Sequence, residues 1–339
     1  MTVVPDGRGN SLLLDTKTNY DMKFSAGVLR LILFLCVPLL FWQCDDDDAG
    51  NGQLRIEITD APIDDESIEG VFVTIAEVRV DGKMWTGMTS KQTIDLMTLQ
   101  EGNVQSLGIA EVEAKSYNRI SLVLDQEEDE DGNSPGCYVL TDDSQKHNLA
   151  ASTSDEITID VTGSDVDVMD GSTSSIVVDF DLRKSLRYGN PNEPSSDYAF
   201  STTGELTAAI RYVEKNEAGH IEGECTDLIS SSDMIVVYAY AKGTFDREDE
   251  TSGPADEQFA DAVTSTTVNA QGEYRLSWLE EGDYELVFVS YEDEGNNGTM
   301  DLQGTLNLTS ILGLNLKSIS VGVASTVVVD VMVTGILPI

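Results

Sequence analysis

The residues best suited to chemistry in this 339-residue chain are acidic. In the stretch DQEEDEDGN, Asp125 to Asn133, the positions of Glu127, Asp129, Asp131 and Gly132 match the offsets of a calcium loop. Such loops gather hard carboxylate oxygens around the ion, and the glycine permits the sharp turn. Tyr138 stands where the closing bidentate carboxylate belongs. Excess acid at a solvated hairpin tip accounts for the same residues. Glu127, Asp129 and Asp131 are therefore a calcium candidate with an incomplete ligand set, and Glu292-Asp293-Glu294-Gly295 invites a similar reading.

Other reactive groups are sparse. The two histidines, His147 and His220, sit in no nucleophile, metal or acid–base motif, and there is no glycine-rich phosphate loop or paired-cysteine zinc spacing. Carboxylate pairs of the glycosidase kind are uninformative among 61 acidic residues. The expectation is a protein that is not an enzyme. Trp85, Trp278, Tyr238 and Tyr240 would stack on sugar rings if exposed, and would be core residues if not. With 20 basic residues against 61 acidic ones, the net charge is −41, and nucleic acid and anionic lipid surfaces are poor partners for such a field.

The elements that must position these groups begin after residue 43. The apolar run Leu31 to Trp42 falls short of the roughly 20 residues of a membrane span but suits the core of a secretory signal, with Lys23 and Arg30 as its basic flank. Met22-Lys23 opens that signal, so Met1 to Asp21 reads as an upstream extension. A cysteine closing the run resembles the lipobox of bacterial lipoproteins, although Phe41-Trp42-Gln43 stands where that motif carries a small residue. The resemblance implies that Cys44 is acylated and becomes the first residue of the mature chain. Asp45 to Asp48 and Ala49 to Gly52 then form a solvated tether (44–52), similar to the surface-export signal of Bacteroidetes lipoproteins. Together these resemblances imply an outer-membrane protein facing the cell exterior, with the membrane as partner through its N-terminal lipid anchor. Cys137 and Cys225 could pair in an oxidising compartment, but they fall in different expected domains.

From Gln53 onward the dominant period is two. Leu54, Ile56 and Ile58 alternate with polar neighbours, as do Ile120, Leu122, Leu124 and Ile157, Ile159, Val161. Between Val71 and Val80 the apolar phase switches near Ala76-Glu77, which a bulge explains. Turn formers such as Asp81-Gly82 and Gly189-Asn190-Pro191 bound the segments. The fold expected is all-β: two tandem antiparallel β-sandwiches of Ig-like or transthyretin-like type, over 53–213 and 220–339, joined by the polar linker 214–219. Asp246 to Asp261 reads as an acidic loop in the second.

Thr59-Asp60-Ala61-Pro62, the Val71 to Val80 strand with Trp85, Asp95-Leu96, and Asp179-Phe180-Asp181-Leu182 with Lys184-Ser185 together resemble a lipoprotein domain of unknown function, DUF4382, over about 53–213. That resemblance carries no activity. Physically, Asp60 reads as a turn that stops its strand, and Phe180 as a core ring between outward charges. Gly272-Glu-Tyr274-Arg-Leu276 and Gly282-Asp-Tyr284-Glu-Leu286 are similar to the carboxypeptidase-regulatory-like, transthyretin-type sandwiches, which share architecture with carbohydrate-binding modules. The functional expectation is a surface module that binds a glycan or protein partner. The alternative is a fimbrial or pilus-type subunit, or a calcium-stabilised adhesin, suggested by the tandem sandwiches and the apolar C-terminal strand Thr326 to Val333.

Overall fold

Leu54, Ile56 and Ile58 are fully buried, the result that a period of two dictates when one face of a strand meets a core. The computed structural model describes residues 50–61, 67–150, 156–189, 197–229, 232–293 and 300–339, and residues 49–339 form one compact unit. The protein is all-β, built on two large sheets. The first contains β1 (Asn51–Ala61), β2 (Ile68–Val80), β3 (Gln105–Glu113), β4 (Ile120–Asp125), β5 (Tyr138–Thr141), β6 (Lys146–Asn148), β7 (Glu156–Gly163), β8 (Thr173–Asp181) and β9 (Ile210–Glu214). Their order is β3-β1-β8-β9-β7-β4-β2-β5-β6, with the short strands Lys83–Met84 and Gln92–Asp95 also paired to β2.

Most pairs are antiparallel, but β1 and β8 run parallel from Gln53↔Thr173 to Ala61↔Asp181. Alternation carries no information about strand direction, so this pairing was not legible in the pattern. The expected bulge is present: the register between β2 and β4 shifts between Ile75 and Glu77. The β4 strand, expected to be half-buried, is buried on both faces from Ile120 to Leu124, Ser121 included.

The second sheet contains β10 (Gly219–Asp227), β11 (Met234–Ala241), β12 (Thr264–Thr267), β13 (Glu273–Leu279), β14 (Gly282–Glu292), β15 (Asp301–Ser310) and β16 (Val331–Pro338), in the order β12-β11-β14-β15-β16-β10-β13. Thr326–Val328 pairs parallel to β10 ahead of β16. The last strand is thus a central one, held by β15 on one side and β10 on the other. Along β11, Ile235, Val237 and Ala239 enter one core while Val236, Tyr238 and Tyr240 enter another.

That second core is covered by the acidic segment, which is more than a loop. It forms a short helix Arg247–Glu250 and a 3₁₀ turn Ala255–Glu257, and it lays Phe259 on Tyr238 with ring centroids 4.4 Å apart and planes 13° from parallel. The Tyr240 hydroxyl donates to Glu250 Oε2 at 2.7 Å, which gives a buried carboxylate a partner. Among the described residues no helix is long and apolar enough to cross a membrane.

Candidate functional site

Phe180 enters the first core fully buried, so the pleat sends Asp179 and Asp181 to the opposite face of β8. That face is covered, and both aspartates are only 3% exposed, which corrects the expectation of outward charges. The covering is the second sheet: Val177 on the same face packs with Val213, Ala218 and Trp278. Each aspartate meets a cation. Arg211, its neighbour across β9, donates to Asp179 Oδ2 at 2.6 Å, and Arg183 donates to Asp181 Oδ2 at 2.9 Å. Lys184 Nζ stands 3.6 Å from the same Asp181 oxygen.

The cations then reach across. Arg211 Nη1 donates to the Trp278 carbonyl at 2.8 Å, Arg183 Nη1 to the Phe259 carbonyl, and Lys184 Nζ to that of Ala262. Trp278 and Phe259 both hold left-handed backbone, at φ 59° and 54°. Such a conformation costs a bulky residue about 1–3 kcal/mol and persists where its surroundings over-determine it. Here it turns two carbonyls toward guanidinium groups. The Arg183 guanidinium also lies 5.3 Å from the centroid of the Tyr238 ring. Burial pushes the Asp179 carboxyl above the usual range against the pull of Arg211, and burial likewise pushes Lys184 down. Asp60 accepts from the Leu182 amide at 3.3 Å, at the start of the helical turn Leu182–Ser185.

Beside this seam lies a cavity of about 460 Å³, lined from one side by Ser67, Leu186, Arg187, Tyr188, Asp197 and Tyr198, and from the other by Ala255, Asp256, Gln258, Tyr291, Met300 and Leu302. Tyr188 and Tyr198 face one another across a small hairpin, Leu186–Tyr188 paired with Tyr198–Phe200, with ring centroids 5.8 Å apart and planes tilted by 54°. Tyr188 is 50% exposed and is the one aromatic ring among the described large apolar side chains that are exposed. Arg187 braces the walls: its Nη1 donates to the carbonyls of Leu186 at 2.8 Å and Asp256 at 3.1 Å, and its Nη2 to Glu205. Asp256 Oδ2 accepts from the Tyr188 amide at 3.1 Å. The sequence reading missed this pair. Its signal was two tyrosines flanking the turn formers from Gly189 onward, a hairpin pattern in a segment read only as a boundary.

The aromatic residues singled out from sequence are elsewhere. Trp85, Trp278, Tyr238 and Tyr240 are all buried, so they form no stacking row. The acidic loop does not gather its ligands. Asp129 turns inward, accepting from the amides of Asp131 at 3.0 Å and Asn133 at 2.7 Å, while Glu127 and Asp131 are exposed. Among the described residues no group of three or more His, Cys, Asp or Glu is arranged to hold a metal ion. The Asn133 amide foremost holds the Asp129 carboxyl below the usual range. Burial pushes Asp125 up, but Lys91 at 2.8 Å and the amides of Glu128 and Glu127 outweigh it and hold that carboxyl low as well.

Cys137 and Cys225 are buried and unpaired, and burial pushes both thiols up to about 12. His220 accepts from the Trp278 amide at 3.4 Å. His147 Nε2 lies 3.3 Å from the Thr141 hydroxyl and its Nδ1 3.9 Å from Asp197, but that hydroxyl is also 2.7 Å from Asp143, to which it donates. A nucleophile whose proton already rests with another acceptor is not activated by the imidazole. Cys44, Pro62, Glu294 and Gly295 lie outside the described residues.

The model of the domain of unknown function DUF4382 matches residues 51–200, which include β8 and its Asp179-Phe180-Asp181 run. No curated protein matches the chain. Among solved structures, the chain is similar to the Bacillus anthracis TIE protein at 11% identity and TM-score 0.19, covering 84% of this chain and 35% of that one. It is similar to BcpA, the major pilin subunit of Bacillus cereus, at 9% identity and TM-score 0.20, over 84% of this chain and 70% of that one. For GBS52, the minor pilin of Streptococcus agalactiae, the values are 13% and 0.20, over 85% and 99%.

Arg211→Met leaves the Asp179 carboxylate buried without its cation and should cost about 3–5 kcal/mol at neutral pH by urea denaturation. A carboxyl whose folded pKa is raised is favoured when protonated, so this deficit should shrink as pH falls through the raised value. A deficit that does not vary with pH would mean that lost packing, not lost charge pairing, dominates.

The lowered pKa values at Asp125 and Asp129 act in the other sense. Their contribution is complete above the ordinary aspartate value of about 3.9 and is lost as pH falls through the lower folded values. Asp129→Asn should flatten that acid limb of the melting curve. Calcium should raise the melting temperature no more than sodium chloride of equal ionic strength. Saturable micromolar calcium binding that disappears in Asp129→Asn would restore the metal reading.

Proposed function

We propose that the protein is a surface-displayed, non-catalytic binding module, held on the outer membrane through lipid on Cys44, whose ligand is a carbohydrate. The observation that carries this reading is the tyrosine-walled cavity beside the seam. It has the size and apolar lining of a small-molecule site, and the hairpin Leu186–Tyr188/Tyr198–Phe200 faces the acidic segment and the second sheet across it. A half-exposed ring with carboxylates nearby suits a sugar, whose C–H face packs on the ring while its hydroxyls donate to Asp197 or Asp256. An anion is disfavoured, because Arg187 is bonded to protein oxygens and the chain carries −41.

The pilus-type alternative requires a terminal strand that can be released and donated. The last strand, β16, is hydrogen-bonded on both sides, and withdrawing it would open the sheet at its middle. Display of a bound ligand therefore accounts for the architecture better than strand exchange.

The binding reading is tested on a glycan array with the full chain. Tyr188→Ala should weaken retention at least about tenfold, while Trp85→Phe, buried far from this hairpin in sequence, should not. Retention unchanged in Tyr188→Ala would remove the cavity from the proposal. For the anchor, Cys44→Ser should abolish metabolic palmitate labelling and release the protein or leave it unprocessed. Continued labelling would sink the lipoprotein reading.

A further inference from the structure

We infer that the ligand is a linear, uncharged oligosaccharide that spans two stations on either side of a bridge; this deepens the proposed function and rests on it. A second cavity, of about 580 Å³, opens beside the first, and Arg183, Arg187, Asp256 and Gln258 line both. Those shared residues are tied down. Arg187 holds the Asp256 carbonyl, and Gln258 Nε2 donates to the Thr251 and Gly253 carbonyls at 3.2 and 3.3 Å. The two cavities thus adjoin one another across a fixed crosspiece.

The stations differ in chemistry. The first is walled by tyrosines and aliphatic side chains, whereas small residues, Ala208, Ala209 and Ala260, leave room in the second beside Glu205, Glu257 and Asp261. Carboxylates accept hydroxyl protons and repel a charged polysaccharide acid. The second cavity also holds Lys184, but this cation already donates to the Ala262 carbonyl and lies beside Asp181, so it does not invert the local field. Each cavity alone falls within the roughly 300–1,000 Å³ of a small-ligand site, so an occupant that engages both is elongated, as a chain of sugar rings is. Linking two stations on one ligand raises affinity with length until both are filled, then no further.

The test titrates the full chain in detergent, by calorimetry, with neutral gluco-, xylo- and manno-oligosaccharide ladders from a single ring upward. Affinity for one ladder should rise roughly tenfold or more with length and then plateau. Ala208 is exposed at the end of the helix Thr203–Ala209, so Ala208→Trp can fill the second station without repacking a core. It should erase the gain with length and leave the shortest ligands unchanged, whereas Tyr188→Ala should weaken every length. Affinity that is independent of length, or long ligands unaffected by Ala208→Trp, would overturn the two-station groove while leaving the first cavity as the site. No binding of any saccharide to the unmodified chain would overturn the proposed function itself.

Discussion

Arg183, Lys184 and Arg211 carry charge into a region that water barely reaches, and the molecule around them is arranged to make that tolerable. Isolated, a buried charge costs several kcal/mol. Asp179 and Asp181 neutralise it from one strand, and the carbonyls of Trp278 in the second sheet and of Phe259 and Ala262 in the acidic segment take up remaining donors. A buried ion pair is weak evidence of stability in itself, because an apolar pair of similar volume often does as well. What this one supplies is register. Apolar faces slide over one another at modest cost, but three cations aimed at three particular carbonyls, one in the second sheet and two in the acidic segment that covers it, accept a single docking.

The cavity inherits its shape from that constraint. Arg183 and Lys184 hold the acidic segment through Phe259 and Ala262, and Arg187, one turn on, holds Asp256 in the same segment. Phe259 in turn lies on Tyr238, whose hydroxyl is 2.9 Å from that of Tyr291 on the cavity wall. The helical turn after β8 and the hairpin strand that follows it therefore hold the opposite wall together. A binding surface built across a seam has definite geometry only if the seam has, which gives a functional reason for placing costly charges in it.

Local patterns were legible in the sequence to the extent that their causes were local. The alternation of β1, the bulge at Ala76-Glu77 and the burial of Phe180 follow from side chains within a few residues of each other. Asp179 and Asp181 were misread because the groups that cover them, Trp278 and Phe259, lie about 80 to 100 residues away, and polar residues flanking a core ring ordinarily mean solvent. The parallel pairing of β1 with β8 was invisible for the same reason. One signal was present but unused: MIVVYAYA in β11 is continuously apolar, the mark of a strand buried on both faces, and this required a cover such as the segment 246–262. The tyrosine cavity was illegible because its two walls come from different sheets.

The acidity of the chain also divides by location, and the division bears on what the molecule does. At the loop 125–133 Asp125 and Asp129 accept from the loop's own backbone amides and so act as local turn formers. At the seam the carboxylates pair with cations and are consumed by the structure. Along the groove, Asp197, Glu257 and Asp261 remain as acceptors at a surface with half-exposed aromatic character. The same residue type thus serves as turn former, counter-ion and hydrogen-bond acceptor, and only the third use leaves capacity for a partner. Since cations near that surface are already bonded, the proposed ligand, a neutral polyhydroxyl chain, would donate hydrogen bonds there without bringing negative charge.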